Sequence, residues 1–179
     1  LDALLDPKYI ELRATERVAP SAIPQHGDPG KVLHGEPVAN LLGLEKTLEA
    51  PGTTNLSIID NEGNAVSMTA TVEFYFGSSR WAHGFLLNNQ MTDFAREPAA
   101  DGKPVANAIG PGRRPRSSMS PTMVLDENGD LVMVTGSPGG NSIPAYVSKT
   151  IVGVLDWGMS AQEAVDFPNI VARGEKVRV

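Results

Sequence analysis

The sequence predicts an α+β protein, in which antiparallel hairpins and helices occupy separate stretches of the chain. Strand-like apolar runs flank turn-rich inserts within residues 56–72 and again within 122–135. An apolar-rich run at 143–157 and a capped segment after Ser160 then indicate two consecutive helices. Strands and helices grouped in this way favour an α+β layer arrangement over alternating βαβ units.

The start of the chain carries a helix pattern followed by a connector. Apolar residues in 1–18 are spaced for one side of a helix, with Pro7 interrupting its first turns. Repeated prolines and glycines in 19–52 exclude long regular structure there. We therefore expect a helix that needs a partner, and then a connector.

Each predicted hairpin has a turn-forming insert. The insert at 60–64 is rich in Asp, Asn and Gly, which favour turns. In the second hairpin, Asn128-Gly129 is typical of a tight primed turn. Two hairpins predict an antiparallel sheet.

A glycine-rich segment joins the second hairpin to the helix at 143–157. The N–H groups of Gly139 and Gly140 would point into open space at the positive end of that helix, where a developing oxyanion is stabilised. A plain glycine turn is the alternative, and the phosphate-loop pattern is absent. Ser160 and Glu163 match a capping box, which opens a short helix that Pro168 ends.

Composition excludes several classes of function. A chain of 179 residues that is 41% hydrophobic and 20% charged fits one soluble globular domain. A net charge of -6 argues against nucleic acid as the main partner. No apolar run is long enough to span a bilayer. A first residue that is Leu and an end in mid-pattern lead us to expect a piece of a longer protein.

The chain offers little for metal or redox chemistry. It contains no cysteine, which removes disulfides, a thiolate nucleophile and Cys-based metal sites. Its three histidines, His26, His34 and His83, lack the spacing of a metal pair. We predict neither a catalytic metal nor a cofactor.

Gly52-Thr53-Thr54 stands directly before the first predicted strand. If the chain is cut before Thr53, that residue carries both a nucleophilic hydroxyl and an α-amine that can take up its proton. The alternative is a β-favouring entry into the strand.

Two further segments carry groups suited to an amino acid ligand. Ser117 and Ser118 follow a basic cluster of three arginines at 113–116, a combination able to hydrogen-bond a carboxylate. Segment 88–93 brings amides and a carboxylate to the end of a predicted strand, where they would receive an ammonium group. The alternatives are ordinary turn residues and a capped strand end.

Five ordered segments together resemble γ-glutamyltransferase. They are residues 53–60, 63–67, 86–94, 114–122 and 136–140. The resemblance implies that 53–179 is most of the small catalytic subunit, truncated at its C-terminus, and that 1–52 is the end of the large subunit.

The family resemblance also implies a fold and an activity. Members are N-terminal nucleophile hydrolases with an αββα sandwich, whose antiparallel sheets are flanked by helices and draw on both subunits. A precursor would cleave itself between Gly52 and Thr53, and Thr53 would then transfer the γ-glutamyl group of amides such as glutathione to an acceptor amine or water. The rest of the large subunit is the expected partner, the isolated chain is expected to be inactive, and the family implies a periplasmic or extracellular location.

The resemblance assigns a role to each matching residue. Besides Thr53, the implied catalytic residues are Thr71, which would hydrogen-bond the nucleophile, and Gly139 and Gly140, which would form the oxyanion hole. The implied substrate-binding residues are Ser117 and Ser118 for the α-carboxylate, with Gln90, Asp93 and Glu73 for the α-amino group.

The sequence departs from the family pattern at three places. Asn55 stands where members often have His, Glu73 stands where many have Asn, and the loop between Asp93 and Ser117 is shorter than in members with a lid. Glu73 and the short loop suggest a related amidohydrolase of the cephalosporin acylase type as an alternative. The uncleaved Gly52-Thr53 bond and the missing partner segments suggest an inactive fragment or an unprocessed homologue as another.

Overall fold

The computed structural model of the chain describes residues 2–16, 27–37, 42–43, 52–173 and 176–178. These residues divide between two compact units. The first contains the described residues up to 43, together with 95–113 and 172–177 as far as they are described. The second contains the described residues 52–94, 114–171 and 178.

Helices and short antiparallel strand pairs make up both units, which confirms the mixed α and β prediction. The helices are α1 (Pro7–Thr15), α2 (Pro29–His34), α3 (Ile143–Leu155) and α4 (Ala161–Asp166). The strands are β1 (Thr53–Ile59), β2 (Ala65–Thr71), β3 (Trp81–Ala82), β4 (Phe85–Leu86), β5 (Ala99–Ala100), β6 (Lys103–Pro104), β7 (Thr122–Leu125), β8 (Leu131–Thr135), β9 (Val171–Arg173) and β10 (Lys176–Arg178).

In the first unit, the helix predicted over 1–18 is shorter than expected. α1 begins at Pro7, because a residue before proline avoids the helical region and Asp6 is extended. The Asp6 carboxylate caps the helix by accepting the Lys8 N–H at 2.9 Å. The predicted connector contains α2, capped in the same way by Asp28, while most of 19–51 lies outside the described residues.

In the second unit, both predicted hairpins form. β1 pairs with β2 in a register that sets Thr53 opposite Thr71, and β7 pairs with β8. The Ser67 hydroxyl donates to the Thr135 carbonyl at 2.8 Å, which joins the first hairpin to the second. The strand ends that carry Thr53 and Thr71 therefore lie at one end of the first hairpin.

The primed turn predicted at Asn128-Gly129 is wrong. Only Gly129 has a positive φ, of 86°, whereas a type I′ turn needs positive φ at both positions. The Gly129 N–H donates to the Asp126 carbonyl at 3.1 Å, so the turn is centred on residues 127 and 128, one position earlier than predicted. The Asp126 carboxylate also accepts the N–H groups of Asn128 at 2.8 Å and Asp130 at 2.9 Å. These hydrogen bonds, that from Asp130 first, hold the pKa of Asp126 below its usual value. The backbone therefore closes this turn, and the Asp126 side chain adds to it.

The two predicted C-terminal helices are confirmed. α3 follows a 3-10 turn at Gly140–Ser142. Ser160 and Glu163 form the predicted capping box of α4, which ends before Pro168. Ala164 of α4 is fully buried, and the Lys149 ammonium of α3 donates to its carbonyl at 2.6 Å. Lys149 also reaches the Phe167 carbonyl at 3.0 Å, so it satisfies the last turn of α4.

Replacing Lys149 by methionine is expected to destabilise the protein by about 1–3 kcal/mol, since the carbonyls it contacts lose a charged donor. The midpoint of thermal unfolding of the full-length protein measures the effect. Lys8→Met makes the same change at an exposed position and is expected to leave the midpoint within a degree or so. Equal midpoints for the two variants would contradict the role of Lys149.

Candidate active site

Thr53 lies at the start of β1, where the two strands of the first hairpin bring it opposite Thr71. The Thr71 hydroxyl lies 3.2 Å from the Gly52 carbonyl oxygen and 2.8 Å from the Glu73 nitrogen. Because an N–H can only donate, the hydroxyl accepts from Glu73 and its own proton is directed at the Gly52 carbonyl. The peptide bond before Thr53 is thus polarised by a neighbouring hydroxyl.

The glycine loop after β8 presents two backbone donors. Gly139 and Gly140 have φ values of 137° and 53°, and neither N–H donates to another of the described residues. The Ser118 hydroxyl holds the loop by donating to the Gly140 carbonyl at 2.8 Å. The predicted turn is therefore present, and its N–H groups are available to a ligand.

Asn55 fixes the beginning of the same loop. Its amide nitrogen donates to the Met68 carbonyl at 3.0 Å and to the Thr69 hydroxyl at 2.9 Å. A Cβ atom on Gly136 would lie only 2.6 Å from the Asn55 Cγ. The amide at this position packs against the loop backbone, which is a contact that the sequence did not predict.

A cleft beside Thr53 contains the residues proposed for substrate. Glu73 and Asp93 are buried carboxylates, 9% and 6% exposed, and the Gln90 amide donates to Asp93. Ser117 uses its hydroxyl to accept the Met119 N–H at 3.2 Å. The cleft is lined by Thr53, Thr71, Glu73, Gln90, Asp93, Ser117, Ser118, Met119, Gly140 and Ile143. The structure thus brings together nearly all of the sequence-predicted site residues, and Gly139 lies on the adjoining cavity.

A larger cavity of about 720 Å³ shares Thr53 and Thr71 with this cleft. Its volume is in the range of small-molecule sites. The lining residues that the sequence did not single out are Ala70, Val72, Tyr75, Pro138 and Tyr146. No spacing signal marks them, because they come from three separate segments.

Asn89 is a further residue whose role the sequence did not reveal. It accepts the Phe74 N–H at 3.0 Å and donates its own N–H to the Val72 carbonyl at 3.2 Å. Its side-chain nitrogen donates to the Thr92 hydroxyl at 3.1 Å. It therefore ties the turn that carries Glu73 to the 3-10 turn Gln90–Asp93. The sequence indicated Asn89 only as one of several amide side chains in 88–93.

Other candidate features lie elsewhere or are not found. Arg113 of the basic cluster belongs to the first unit, where it donates to the Ala108 carbonyl at 3.2 Å. Over the described part of the chain, no three acidic or histidine side chains gather as metal ligands. Nor does any helix within those residues have the length and apolar character to cross a membrane.

The chain belongs to the gamma-glutamyltranspeptidase family, whose model matches residues 1–179. It is 40% identical over 173 residues to a glutathione hydrolase proenzyme of Pseudomonas sp. strain A14, covering 92% of this chain and 28% of the relative. It is 42% identical over 127 residues to the Escherichia coli K12 protein of the same name, covering 67% and 22%. The chain therefore spans 22–28% of the length of these relatives.

Solved structures give the same family. A mutant of Helicobacter pylori gamma-glutamyltranspeptidase has a TM-score of 0.59 and 42% identity, over 67% of this chain and 68% of that one. At this sequence identity, the structural similarity supports membership of the family as well as a shared fold.

Proposed function

We propose that the full-length protein is a self-processing γ-glutamyltransferase or hydrolase that acts on γ-glutamyl amides such as glutathione. The observation that carries the proposal is the contact of the Thr71 hydroxyl with the Gly52 carbonyl, at a strand end where Thr53 borders both cavities. Family membership supports it, as does the name glutathione hydrolase proenzyme of two relatives.

In the first step, the chain cleaves itself. The Thr53 hydroxyl oxygen attacks the Gly52 carbonyl carbon while the Thr71 hydroxyl stabilises the developing negative charge on its oxygen. The bond to the Thr53 nitrogen breaks, and that nitrogen gains the proton that the hydroxyl loses, which gives an ester and a free amine. Water hydrolyses the ester to the Gly52 carboxylate and restores the Thr53 hydroxyl, and the remaining proton passes to solvent, so the amine is free to act as a base. We accordingly propose the subunit boundary between residues 52 and 53.

In turnover, the new α-amine of Thr53 acts as the base. The Thr53 oxygen attacks the γ-carbonyl carbon of the donor, and its proton passes through the amine to the departing amine. The N–H groups of Gly139 and Gly140 stabilise the oxyanion. Water or an acceptor amine then attacks the γ-glutamyl ester, and the proton it loses returns to Thr53.

The charged cleft supplies the recognition of the donor. Two buried carboxylates, Glu73 and Asp93, suit an α-ammonium. The Gln90 amide that donates to Asp93 occupies one place that the ammonium would take. Ser117 and Ser118 would hold the α-carboxylate, with Ser118 also keeping its bond to the glycine loop. The 720 Å³ cavity leaves room for the departing and accepting amines.

The αββα sandwich would be completed by parts of the protein beyond this chain. Leu56 pairs with Met68 and Ile58 with Val66, which places the four side chains on one face of the first hairpin. They are between 37% and 55% exposed. An apolar face of this kind needs a covering layer, so we expect the chain alone to be inactive.

Two measurements on the full-length protein test the proposal. Mass spectrometry should find a new amino terminus at Thr53, and a chromogenic γ-glutamyl anilide should be hydrolysed faster than the glutaryl anilide, which lacks the ammonium. If the protein shows neither cleavage nor turnover, we would conclude that it is an inactive homologue. A faster rate with the glutaryl substrate would favour an amidohydrolase of the cephalosporin acylase type. We do not expect this result, because a glutaryl group has no ammonium to pair with the two buried carboxylates.

A further inference from the structure

The backbone of Glu73 closes the end of the first hairpin in an unusual conformation. Its φ of 73° lies in the left-handed region, which residues with a side chain rarely adopt. This turn lets its N–H donate to the Thr71 hydroxyl at 2.8 Å. The same hydroxyl then contacts the Gly52 carbonyl. One backbone turn therefore sets the hydrogen-bond chain that reaches the bond before Thr53.

The Glu73 carbonyl lies directly against residue 52. A Cβ atom on Gly52 would overlap the Glu73 carbonyl oxygen and would lie 3.0 Å from the Glu73 carbonyl carbon and 3.2 Å from that of Phe74. These are backbone atoms, so they cannot rotate away as a flexible side chain would. The approach of the two segments requires glycine at position 52.

The turn around Glu73 is also held from its other side. Asn89 bonds to the backbone of Val72 and of Phe74, on either side of Glu73. The Phe74 carbonyl additionally accepts the Gly77 N–H at 2.8 Å. With the turn fixed in this way, a side chain at position 52 would have to be accommodated by moving residue 52 itself.

We infer that Gly52 is a positioning residue for self-cleavage. The absence of its side chain lets the Glu73 backbone hold the Gly52 carbonyl against the Thr71 hydroxyl. The inference rests on the proposed function, because it concerns the first step of that function. It also gives Glu73 two separable roles: its backbone acts in maturation, and its carboxylate acts in donor binding.

The test compares the rate at which the full-length protein releases the fragment beginning at Thr53. Gly52→Ala is expected to slow the release roughly 10- to 100-fold, the scale of effect for a small displacement of reacting groups. Gly110→Ala is the matched control, since a Cβ there meets only the flexible Arg113 side chain, and it should cleave at the wild-type rate. Thermal unfolding confirms that each variant is folded.

The variant Glu73→Gly separates the two roles of this residue. It can be measured even if Gly52→Ala fails to fold. Glycine adopts positive φ freely, so this variant should cleave at least as fast as wild type while its KM for a γ-glutamyl donor rises. A folded Glu73→Gly protein that no longer cleaves would overturn the inference, as would Gly52→Ala cleaving at the wild-type rate. Failure of the wild-type protein to cleave would overturn the proposed function itself, which is a distinct result.

Discussion

Thr53→Ala is expected to leave the full-length protein as a single uncleaved chain without measurable γ-glutamyl turnover. The substitution removes the only atom proposed to attack, first the Gly52 carbonyl and then the donor. Loss of a nucleophile of this kind lowers kcat by about 10⁴-fold or more. Intact mass spectrometry measures the cleavage, and release of the anilide measures the turnover.

Two companion variants make the result specific. Thr53→Ser keeps the hydroxyl and should retain cleavage at a reduced rate, because serine lacks the methyl group that restricts χ1 in threonine. Ser57→Ala removes an exposed hydroxyl from the same strand and should behave as wild type. Cleavage of Thr53→Ala within tenfold of the wild-type rate would show that another group is the nucleophile.

The parts of the fold that were predictable from sequence are those determined locally. The capping box at Ser160 depends on residues three apart, and it formed as expected. The hairpin inserts identified the strand pairs, and the register that follows sets Thr53 opposite Thr71. In the second hairpin, the Asn128-Gly129 pair predicted the wrong turn type, because the backbone bond from Gly129 to Asp126 centres the turn one residue earlier.

The sequence named most of the residues that line the cleft beside Thr53, but not the contacts that hold them. Gln90 and Asp93 share one segment and Ser117 lies in another, distant in sequence, so the resemblance to a family was needed to group them. Their supporting contacts depend on packing between segments, which no local pattern encodes. Asn55 against Gly136 and Asn89 against the turn at Glu73 are contacts of this kind.

The close approach of residue 52 to Glu73 illustrates the same limit. A glycine beside a threonine is unremarkable in sequence, and its importance follows only from the position of a carbonyl oxygen 21 residues away. Steric requirements for a missing side chain are visible only once the neighbouring backbone is in place.

The second large effect is expected at Asp93, which is 6% exposed in the cleft beside Thr53. In Asp93→Asn, the donor ammonium would lose a buried charged partner. Loss of such a pair costs about 2–4 kcal/mol, which lowers kcat/KM for the γ-glutamyl anilide roughly 30- to 1000-fold. Self-cleavage should persist, because the contacts to the Gly52 carbonyl come from Thr71 and not from Asp93.

A substrate comparison distinguishes loss of recognition from general damage to the site. Glutaryl anilide lacks the α-ammonium, so its kcat/KM should be unchanged or raised in Asp93→Asn, since a buried negative charge no longer faces a carbon chain. Asp101→Asn is a suitable control: Asp101 is exposed, with a φ of 52° that asparagine tolerates equally well. Equal losses for the two anilides in Asp93→Asn would mean that Asp93 supports the architecture of the cleft and does not bind the ammonium. A loss confined to the γ-glutamyl substrate would assign the ammonium to Asp93, and would explain why a carboxylate is kept buried beside a second one at Glu73.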